Sequence, residues 1–321
     1  MKDKINTHLE KINELKKEMK KTIIGQDILV KNLLIALLAG GHIILEGVPG
    51  LAKTLSIKTL SEALNLDFWR ISFTPDLLPG DLIWGQIYNQ ADSKFYIKKW
   101  PIFTNFLLAD EINRAPAKVQ SALLEAMQEK KITIADEHFT LDNPFIVLAT
   151  QNPIEQEWTY ELPEAQLDRF LLKTIIDYPT RSEEIEIMKN SNSKEKIKKV
   201  LAKKDLIEIQ DFIENEIFID DKIYEYVRDI VFATRNPSDY NLSQISSYIS
   251  FWASPRASLS LIKTAKVNAF LSGRAFVIPE DIKEMAYDVL RHRIGLSFEA
   301  IWENMKTDDI IKIILANILV P

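Results

Sequence analysis

A glycine-containing segment, Gly47–Thr54 (GVPGLAKT), constrains the fold more than any other part of this sequence. It directly follows an apolar run rich in branched side chains, His42–Glu46 (HIILE), and it opens a helical stretch, Thr54–Leu64. A strand, a tight loop and a helix N-terminus in that order direct backbone N–H groups and the positive end of the helix dipole toward one anion. The order predicts a phosphate-binding loop in a domain with a parallel sheet.

The residues assigned to this loop are Gly47, Val48, Pro49, Gly50, Leu51, Ala52, Lys53, Thr54 and Leu55. The two outer glycines allow the close approach of a phosphate that a Cβ atom would prevent. Lys53 is expected to reach the β- and γ-phosphates, and the Thr54 hydroxyl to ligate Mg²⁺. Ala52 stands where the strict pattern has its second fixed glycine. We expect alanine to fit there with a near-helical backbone.

An acidic pair follows at the end of a second apolar run, in Asn105–Ala115 (NFLLADEINRA). The run Phe106–Ala109 is typical of a buried parallel strand. Acids at the carboxyl end of such a strand face the ligand crevice of an α/β sheet, so Asp110 would hold Mg²⁺ and Glu111 would act as general base. The alternative is that both acids cap the next helix. Their position after the loop and a full strand–helix–strand favours catalysis.

The pattern of apolar residues along the chain changes near residue 180. Before it, short β-rich runs alternate with helical stretches, which predicts an α/β fold: a five-stranded, mainly parallel sheet with helices on both faces. The predicted strands are His42–Glu46, Phe68–Phe73, Asn105–Asp110, Phe145–Thr150 and Leu171–Asp177. Beyond it, the apolar spacing has the helical period. We therefore predict a nucleotide-binding core at 1–180 and an all-helical domain at 181–321.

Two segments of the core have the alternating pattern of hairpin insertions. Gly80–Trp100 has two aromatic arms around a polar turn at Asn89–Ser93, and Lys131–Leu141 alternates around Asp136 and Glu137. Hairpins of this kind are equally compatible with substrate contact and with simple structural decoration.

Composition excludes several classes of protein. Of 321 residues, 46% are hydrophobic, so the chain can bury a large core. Without cysteines it has no disulfide or thiolate zinc site. The net charge of −6 disfavours a protein that coats nucleic acid. The first residues have no apolar signal core and the apolar runs are too short to span a bilayer, so we expect a cytoplasmic protein without membrane insertion.

These motifs together resemble the AAA+ ATPases and, within them, the MoxR family. The resemblance covers nearly the whole chain. It rests on GVPGLAKT, LLADEINRAP, ATQNP (Ala149–Pro153), PEAQLDRF (Pro163–Phe170) and SPRA (Ser254–Ala257), in the family's order and spacing. Alanine at position 52 is common in this family. The fold expected from the resemblance is an AAA+ P-loop core followed by an all-α lid, with the insertions matching the family's helix-2 insert and pre-sensor-1 hairpin.

The resemblance also implies roles for polar residues outside the loop. Asn152 matches the sensor 1 residue that contacts the attacking water or γ-phosphate, with a turn-forming asparagine as the alternative. Arg169 matches an arginine finger directed into the next subunit, the alternative being an ion pair with Asp168 or Glu164. Arg256 matches the sensor 2 arginine of the lid, the alternative being a surface arginine. Arg114, just after the acidic pair, is a candidate for a residue that faces the nucleotide or the interface. Ile23–Gln26, with Gly25 and Gln26, matches the segment beside the adenine.

The function implied by the resemblance is Mg²⁺-dependent ATP hydrolysis in a hexameric ring of identical chains. Such proteins work as chaperone-like machines that remodel, mature or activate complexes, together with partners that carry a von Willebrand factor A domain. Two other readings remain open. One is a nucleic-acid-dependent motor, for which aromatic and basic residues of 88–100 form a candidate surface. The other is an ATP-gated scaffold with little turnover, against which intact Glu111, Asn152 and Arg169 argue.

Overall fold

The structure, a computed structural model, describes residues 2–48, 50–89, 94–99, 101–134, 137–153, 160–190 and 196–321. Of residues 84–89 and 94–99 it describes the backbone alone. The predictions for Pro49, for residues 90–93, for Trp100 and for Asp136 lie outside these ranges, as do those for the side chains of the aromatic and basic surface at 88–100.

A five-stranded sheet forms the centre of the first half of the chain. The strands are β1 (Ile43–Glu46), β2 (Phe68–Ser72), β3 (Trp84–Asn89), β4 (Lys94–Lys99), β5 (Phe106–Asp110), β6 (Lys131–Ile134), β7 (Glu137–Thr140), β8 (Ile146–Gln151), β9 (Leu172–Ile175), β10 (Ile249–Phe251) and β11 (Gly295–Leu296). The sheet has the order β2-β5-β8-β1-β9, and every pairing in it is parallel. The five predicted strands are confirmed, with ends that move by one or two residues.

Helices cover both faces of the sheet and make up most of the chain beyond it. They are α1 (Lys2–Met19), α2 (Asp27–Leu38), α3 (Lys53–Leu64), α4 (Pro79–Ile83), α5 (Ala117–Glu129), α6 (Glu164–Leu167), α7 (Arg181–Asn190), α8 (Lys203–Glu216), α9 (Asp221–Arg235), α10 (Pro255–Leu271), α11 (Pro279–Leu290), α12 (Phe298–Trp302) and α13 (Thr307–Asn317). Within the described ranges, no helix combines the length and apolarity that crossing a membrane requires. The short antiparallel pair β10–β11 is an addition that the sequence did not predict.

The alternation of side chains along the strands divides the core into two hydrophobic clusters. Leu45 and Leu108 point into one cluster, which also contains apolar residues of α1, α2, α3 and the later helices. Ile44 and Leu107 point to the other face, where α5 and the strand β6 pack. Because both faces are covered, the central strands β5 and β1 are apolar up to their last residue, whereas the edge strands β2 and β9 carry Arg70 and Lys173. The first cluster continues into the later helices, and the division at residue 180 stays a prediction.

Both insertions form antiparallel hairpins in the described backbone. β3 pairs with β4 from Trp84 opposite Lys99 to Asn89 opposite Lys94. The first arm therefore begins at Trp84 and not at Gly80, because Pro79–Ile83 is the helix α4. β6 pairs with β7, with Ile134 opposite Glu137. Glu137, predicted to lie in the turn, therefore belongs to the second arm.

Candidate active site

The predicted loop and the acidic pair meet at the carboxyl edge of the sheet. The loop follows β1, Asp110 ends β5 and Asn152 follows β8, and β5, β8 and β1 are neighbours in the sheet. A cavity of about 410 Å³ opens at this edge. Its lining residues are Gly50, Leu51, Ala52, Lys53, Thr54, Leu55, Arg70, Asp110, Glu111, Thr150 and Asn152. The structure thus brings together residues as far apart in the sequence as Gly50 and Asn152.

The loop curls around the amino end of α3. Lys53 is the first residue of that helix, and its Nζ donates a hydrogen bond to the carbonyl oxygen of Gly47. Burial lowers the pKa of the Lys53 ammonium, while the nearby charges of Asp110, Glu111 and Glu46 act in the opposite direction. Gly47 packs so closely on the chain after β9 that a Cβ atom would lie 2.8 Å from the carbonyl oxygen of Ile176. Only glycine fits there without displacing that backbone.

 Ala52, immediately before α3, has φ 56° and ψ 17°, which is the left-handed helical region. The expectation of a near-helical backbone is therefore wrong in its handedness. The loop has to reverse direction before α3, and this reversal is the reason that the strict pattern has glycine at this position. For an L-residue the left-handed conformation costs about 1–2 kcal/mol, which the methyl group of alanine tolerates better than a larger side chain would.

A short chain of hydrogen bonds holds the acidic pair in place. Thr150, on β8, donates from Oγ1 to Asp110 Oδ1 at 2.6 Å and accepts from the backbone N–H of Glu111 at 2.8 Å. Arg114 donates to Glu111 Oε2 at 2.7 Å. The capping alternative does not describe this geometry, because Glu111 makes no side-chain cap hydrogen bond to the 3₁₀ turn that it precedes. Both carboxylates face the cavity instead.

The oxygen atoms at this edge fit a magnesium ion. Thr54 and Asp110 line the same cavity, and hydroxyl and carboxylate oxygens are the ligands that Mg²⁺ prefers. Arg70, on β2, donates to Asp110 Oδ2 from Nε at 3.1 Å and from a terminal nitrogen at 2.5 Å. A bound cation would therefore compete with Arg70 for this oxygen.

Arg70 and Thr150 are site residues that the sequence did not single out as such. In the β2–β5 register, Ser72 lies opposite Asp110, and Arg70 is two positions earlier on the same side of β2. That relationship requires the strand order, which the sequence does not state. Thr150 stands within the ATQNP motif, and its hydroxyl next to a strand end was the available signal.

The segment that resembles the adenine-binding region lies at the same edge but outside the cavity. Gln26 donates from Nε2 to the carbonyl oxygen of Asp177 at 3.1 Å, just after β9. Gly25 has φ 69°, and a Cβ atom there would lie 2.8 Å from the Glu183 side chain. This segment is therefore beside the loop, next to the chain that leaves β9.

The two predicted arginines lie at the opposite edge of the sheet. Arg169 precedes β9, and Leu171 donates from its backbone N–H to the carbonyl oxygen of His42, just before β1. Arg169 donates to the carbonyl oxygen of Leu124 at 2.8 Å, and Arg256 lies 3.8 Å from Asp168. A strand of four residues is about 13 Å long, so neither arginine reaches the cavity of its own chain.

Comparison with known proteins agrees with this geometry. A family model described as the ATPase family associated with various cellular activities (AAA) matches residues 42–172, and a model of the AAA lid domain matches residues 243–314. Chaperone MoxR1 of Mycobacterium tuberculosis is 46% identical over 305 residues, which are 95% of this chain and 81% of the relative. The chain belongs to the MoxR family of AAA+ ATPases.

Two further similarities extend over nearly the whole chain. Protein YeaC of Bacillus subtilis is 43% identical over 291 residues, covering 90% of this chain and 88% of the relative. A crystal structure of a proposed ATPase from Cytophaga hutchinsonii has 50% sequence identity and a TM-score of 0.94, and the match covers 99% of this chain and 97% of that one. The predicted AAA+ core and lid are confirmed.

Proposed function

We propose that this MoxR-family protein hydrolyses ATP with Mg²⁺ at sites shared between neighbouring copies in a hexameric ring. The observation that carries the proposal is the separation of the site residues. The loop and the acids lie at the carboxyl edge of the sheet, whereas Arg169 and Arg256 lie at its amino edge. Copies arranged head to tail bring the two edges of different chains together, and rotation then closes a ring.

Within one chain, the carboxyl edge supplies the groups that bind ATP and activate water. The loop N–H groups and Lys53 hold the phosphates, and Thr54 and Asp110 hold the metal ion. When bound, the metal ion would neutralise part of the negative charge on the phosphates. Glu111 accepts a proton from the attacking water or orients it. Asn152, which is only 8% exposed and lines the cavity, positions that water or the γ-phosphate.

The neighbouring chain contributes positive charge. The guanidinium groups of Arg169 and Arg256 stabilise the negative charge that spreads over the phosphate oxygens in the transition state. Within its own chain, the Nε of Arg169 is buried and makes no hydrogen bond with any described residue. In other phosphoryl-transfer systems an arginine supplied in this way accelerates the reaction by about 10³–10⁵.

The ATP cycle would serve a partner protein. We propose a chaperone-like role in the cytoplasm, in which movement of the lid against the core remodels, matures or activates a complex, with a von Willebrand factor A domain protein as partner. The name of the relative MoxR1 as a chaperone supports this role. A Glu111→Gln chain, which should bind ATP without hydrolysing it, is expected to retain its partner with ATP, whereas the unaltered chain should release it.

The shared site is tested by the ATPase rate per chain as protein concentration rises over two or three decades. We expect the rate to climb and then level off as copies associate. In Arg169→Ala, the rate per chain should stay near its value at low protein concentration. In Arg228→Ala, which alters an exposed arginine on α9, the rate should still rise with concentration. A constant rate from a sample that is monomeric by size would overturn the shared site.

A further inference from the structure

The carboxylate of Asp168 joins the two parts of the chain that carry the arginines. Asp168 follows α6 and directly precedes Arg169. Its Oδ1 accepts a hydrogen bond from Arg293 Nε at 2.8 Å, and its Oδ2 accepts one from the Ser254 hydroxyl at 2.7 Å. Ser254 is the N-cap of α10, and its hydroxyl also accepts from the backbone N–H of Arg256 at 3.0 Å. One carboxylate thus contacts the elements that carry both arginines.

Arg293 holds the backbone on both sides of Arg169. Arg293 is buried, with only 3% of the residue exposed. It donates to the carbonyl oxygen of Asp168 at 3.2 Å, to that of Leu171 at 3.3 Å and to that of Phe170 at 2.5 Å. The planar guanidinium suits this task, because its five N–H groups diverge in a fixed geometry. The chain that carries Arg169 is therefore fixed from the lid side.

The charge balance explains why an acid is needed here. Burial lowers the pKa of Arg293 to about 10, and the positive charge of Arg256 acts in the same direction, whereas Asp168 opposes both. Arg293 therefore keeps its charge at neutral pH. A buried ion pair often adds little stability compared with well-packed apolar residues of similar size. The pair is better explained by the geometry that it imposes than by the stability that it adds.

We propose that Asp168 and Arg293 are positioning residues, which hold Arg169 and Arg256 on one surface so that both reach the ATP of the neighbouring copy together. This inference rests on the shared site proposed above. Asp168 fixes the start of α10 through Ser254, and Arg293 fixes the loop of Arg169. The competing explanation is a purely structural latch between core and lid.

The first test is the kinetics of Asp168→Asn, which keeps the shape of the side chain and removes its charge. We expect kcat to fall about tenfold or more while KM changes less than about twofold, because misplaced arginines lose contacts made mainly in the transition state. Asp142→Asn, at an exposed aspartate, is the matched control and should change neither. A lower melting temperature with an unchanged kcat would indicate the structural latch and overturn the proposal.

The second test uses mixed rings. Asp168→Asn chains keep an intact ATP-binding edge, and Glu111→Gln chains keep an intact arginine edge. An equal mixture should recover about a quarter of the wild-type rate, because about one head-to-tail interface in four combines the two intact edges. The reference is a mixture of Arg169→Ala with Glu111→Gln. If only the reference recovers activity, the positioning role is wrong and the shared site stands; if neither recovers, the shared site is wrong as well.

A milder variant covers the case in which Asp168→Asn does not fold. Ser254→Ala removes one hydrogen bond to Asp168, and Ser254→Thr keeps the hydroxyl. Ser254→Ala should lower kcat more than KM rises and should be complemented by Glu111→Gln, whereas Ser254→Thr should behave like the unaltered chain. Equal kcat values for the two variants would overturn the proposal.

Discussion

Arg70 and Asp110 form an ion pair inside the ATP cavity, with both hydrogen bonds of the guanidinium directed at Asp110 Oδ2. Asp110 Oδ1 is bonded to Thr150 at the same time. Both oxygens of the proposed magnesium ligand are therefore engaged by the protein itself. The Arg70 side chain is about half exposed (49%), so its guanidinium would have solvent to move into if Asp110 bound Mg²⁺.

The first prediction concerns this competition for Asp110. In Arg70→Ala, the concentration of Mg²⁺ that gives half-maximal binding of ATP should fall about two- to fivefold, because a half-exposed ion pair is worth up to about 1 kcal/mol. The measurement is a Mg²⁺ titration of nucleotide binding at constant ATP, in the Glu111→Gln background to prevent turnover. Arg228→Ala removes an exposed ion pair on α9 and is the control. An unchanged or higher Mg²⁺ requirement in Arg70→Ala would contradict the competition.

The second prediction concerns Thr150, whose hydroxyl connects the two acids. Thr150→Val has nearly the same shape but leaves the backbone N–H of Glu111 and one oxygen of Asp110 without this partner. The loss should cost about 1–3 kcal/mol of stability and lower kcat about tenfold. Thr150→Ser keeps the hydroxyl and should retain both properties. The measurements are denaturant unfolding and steady-state ATPase, and a fully active Thr150→Val would show that the hydroxyl does not position the acids.

The sequence was sufficient to predict the elements of the sheet and the groups at its carboxyl edge. The central strands are short apolar runs with distinct boundaries, and such runs are typical of parallel strands that are covered on both faces. The acids follow one such run and Asn152 follows another, so their position at a common edge follows from parallel pairing alone.

The sequence was not sufficient for relationships that depend on strand order and packing. Arg70 reaches Asp110 because β2 neighbours β5, and Asp168 reaches Arg293 because the lid packs against the amino edge of the sheet. These pairs are 40 and 125 positions apart, and no local pattern connects them. Arg256 was assigned to a γ-phosphate by resemblance, and the structure places it at the amino edge of the sheet, away from the cavity of its own chain.

The third prediction concerns the backbone of Ala52. Ala52→Gly should raise the free energy of unfolding by up to about 1 kcal/mol and leave ATP binding intact, because glycine adopts a positive φ without strain. Ala52→Val should lower it and weaken ATP binding, since a β-branched residue fits this region poorly. Ala122→Gly, in the interior of α5, is the comparison and should cost about 1 kcal/mol. Loss of stability in Ala52→Gly as large as that in Ala122→Gly would contradict the strain.

The last prediction concerns the pH dependence of stability at His42. Its Nδ1 accepts a hydrogen bond from the backbone N–H of Val147 at 3.0 Å, so the ring has to be neutral, and burial lowers its pKa from 6.5 to about 4. The unfolded chain then binds a proton near pH 6.5 that the folded chain binds only near pH 4. The stabilisation is complete above pH 6.5 and is lost as pH falls toward 4, by about 3 kcal/mol in total.

Denaturant unfolding between pH 7 and pH 4 measures this loss as the difference between the unaltered chain and a His42 variant, because buried His292, whose pKa is also lowered, contributes equally to both. His42→Asn, which can still accept a hydrogen bond but does not titrate, should show a flatter dependence of the free energy of unfolding on pH than the unaltered chain. His138→Gln, at an exposed histidine on β7, should keep the dependence of the unaltered chain. Equal slopes for the unaltered chain and His42→Asn would mean that the His42 ring accepts its proton in the folded state as readily as in the unfolded one, which its hydrogen bond from Val147 forbids.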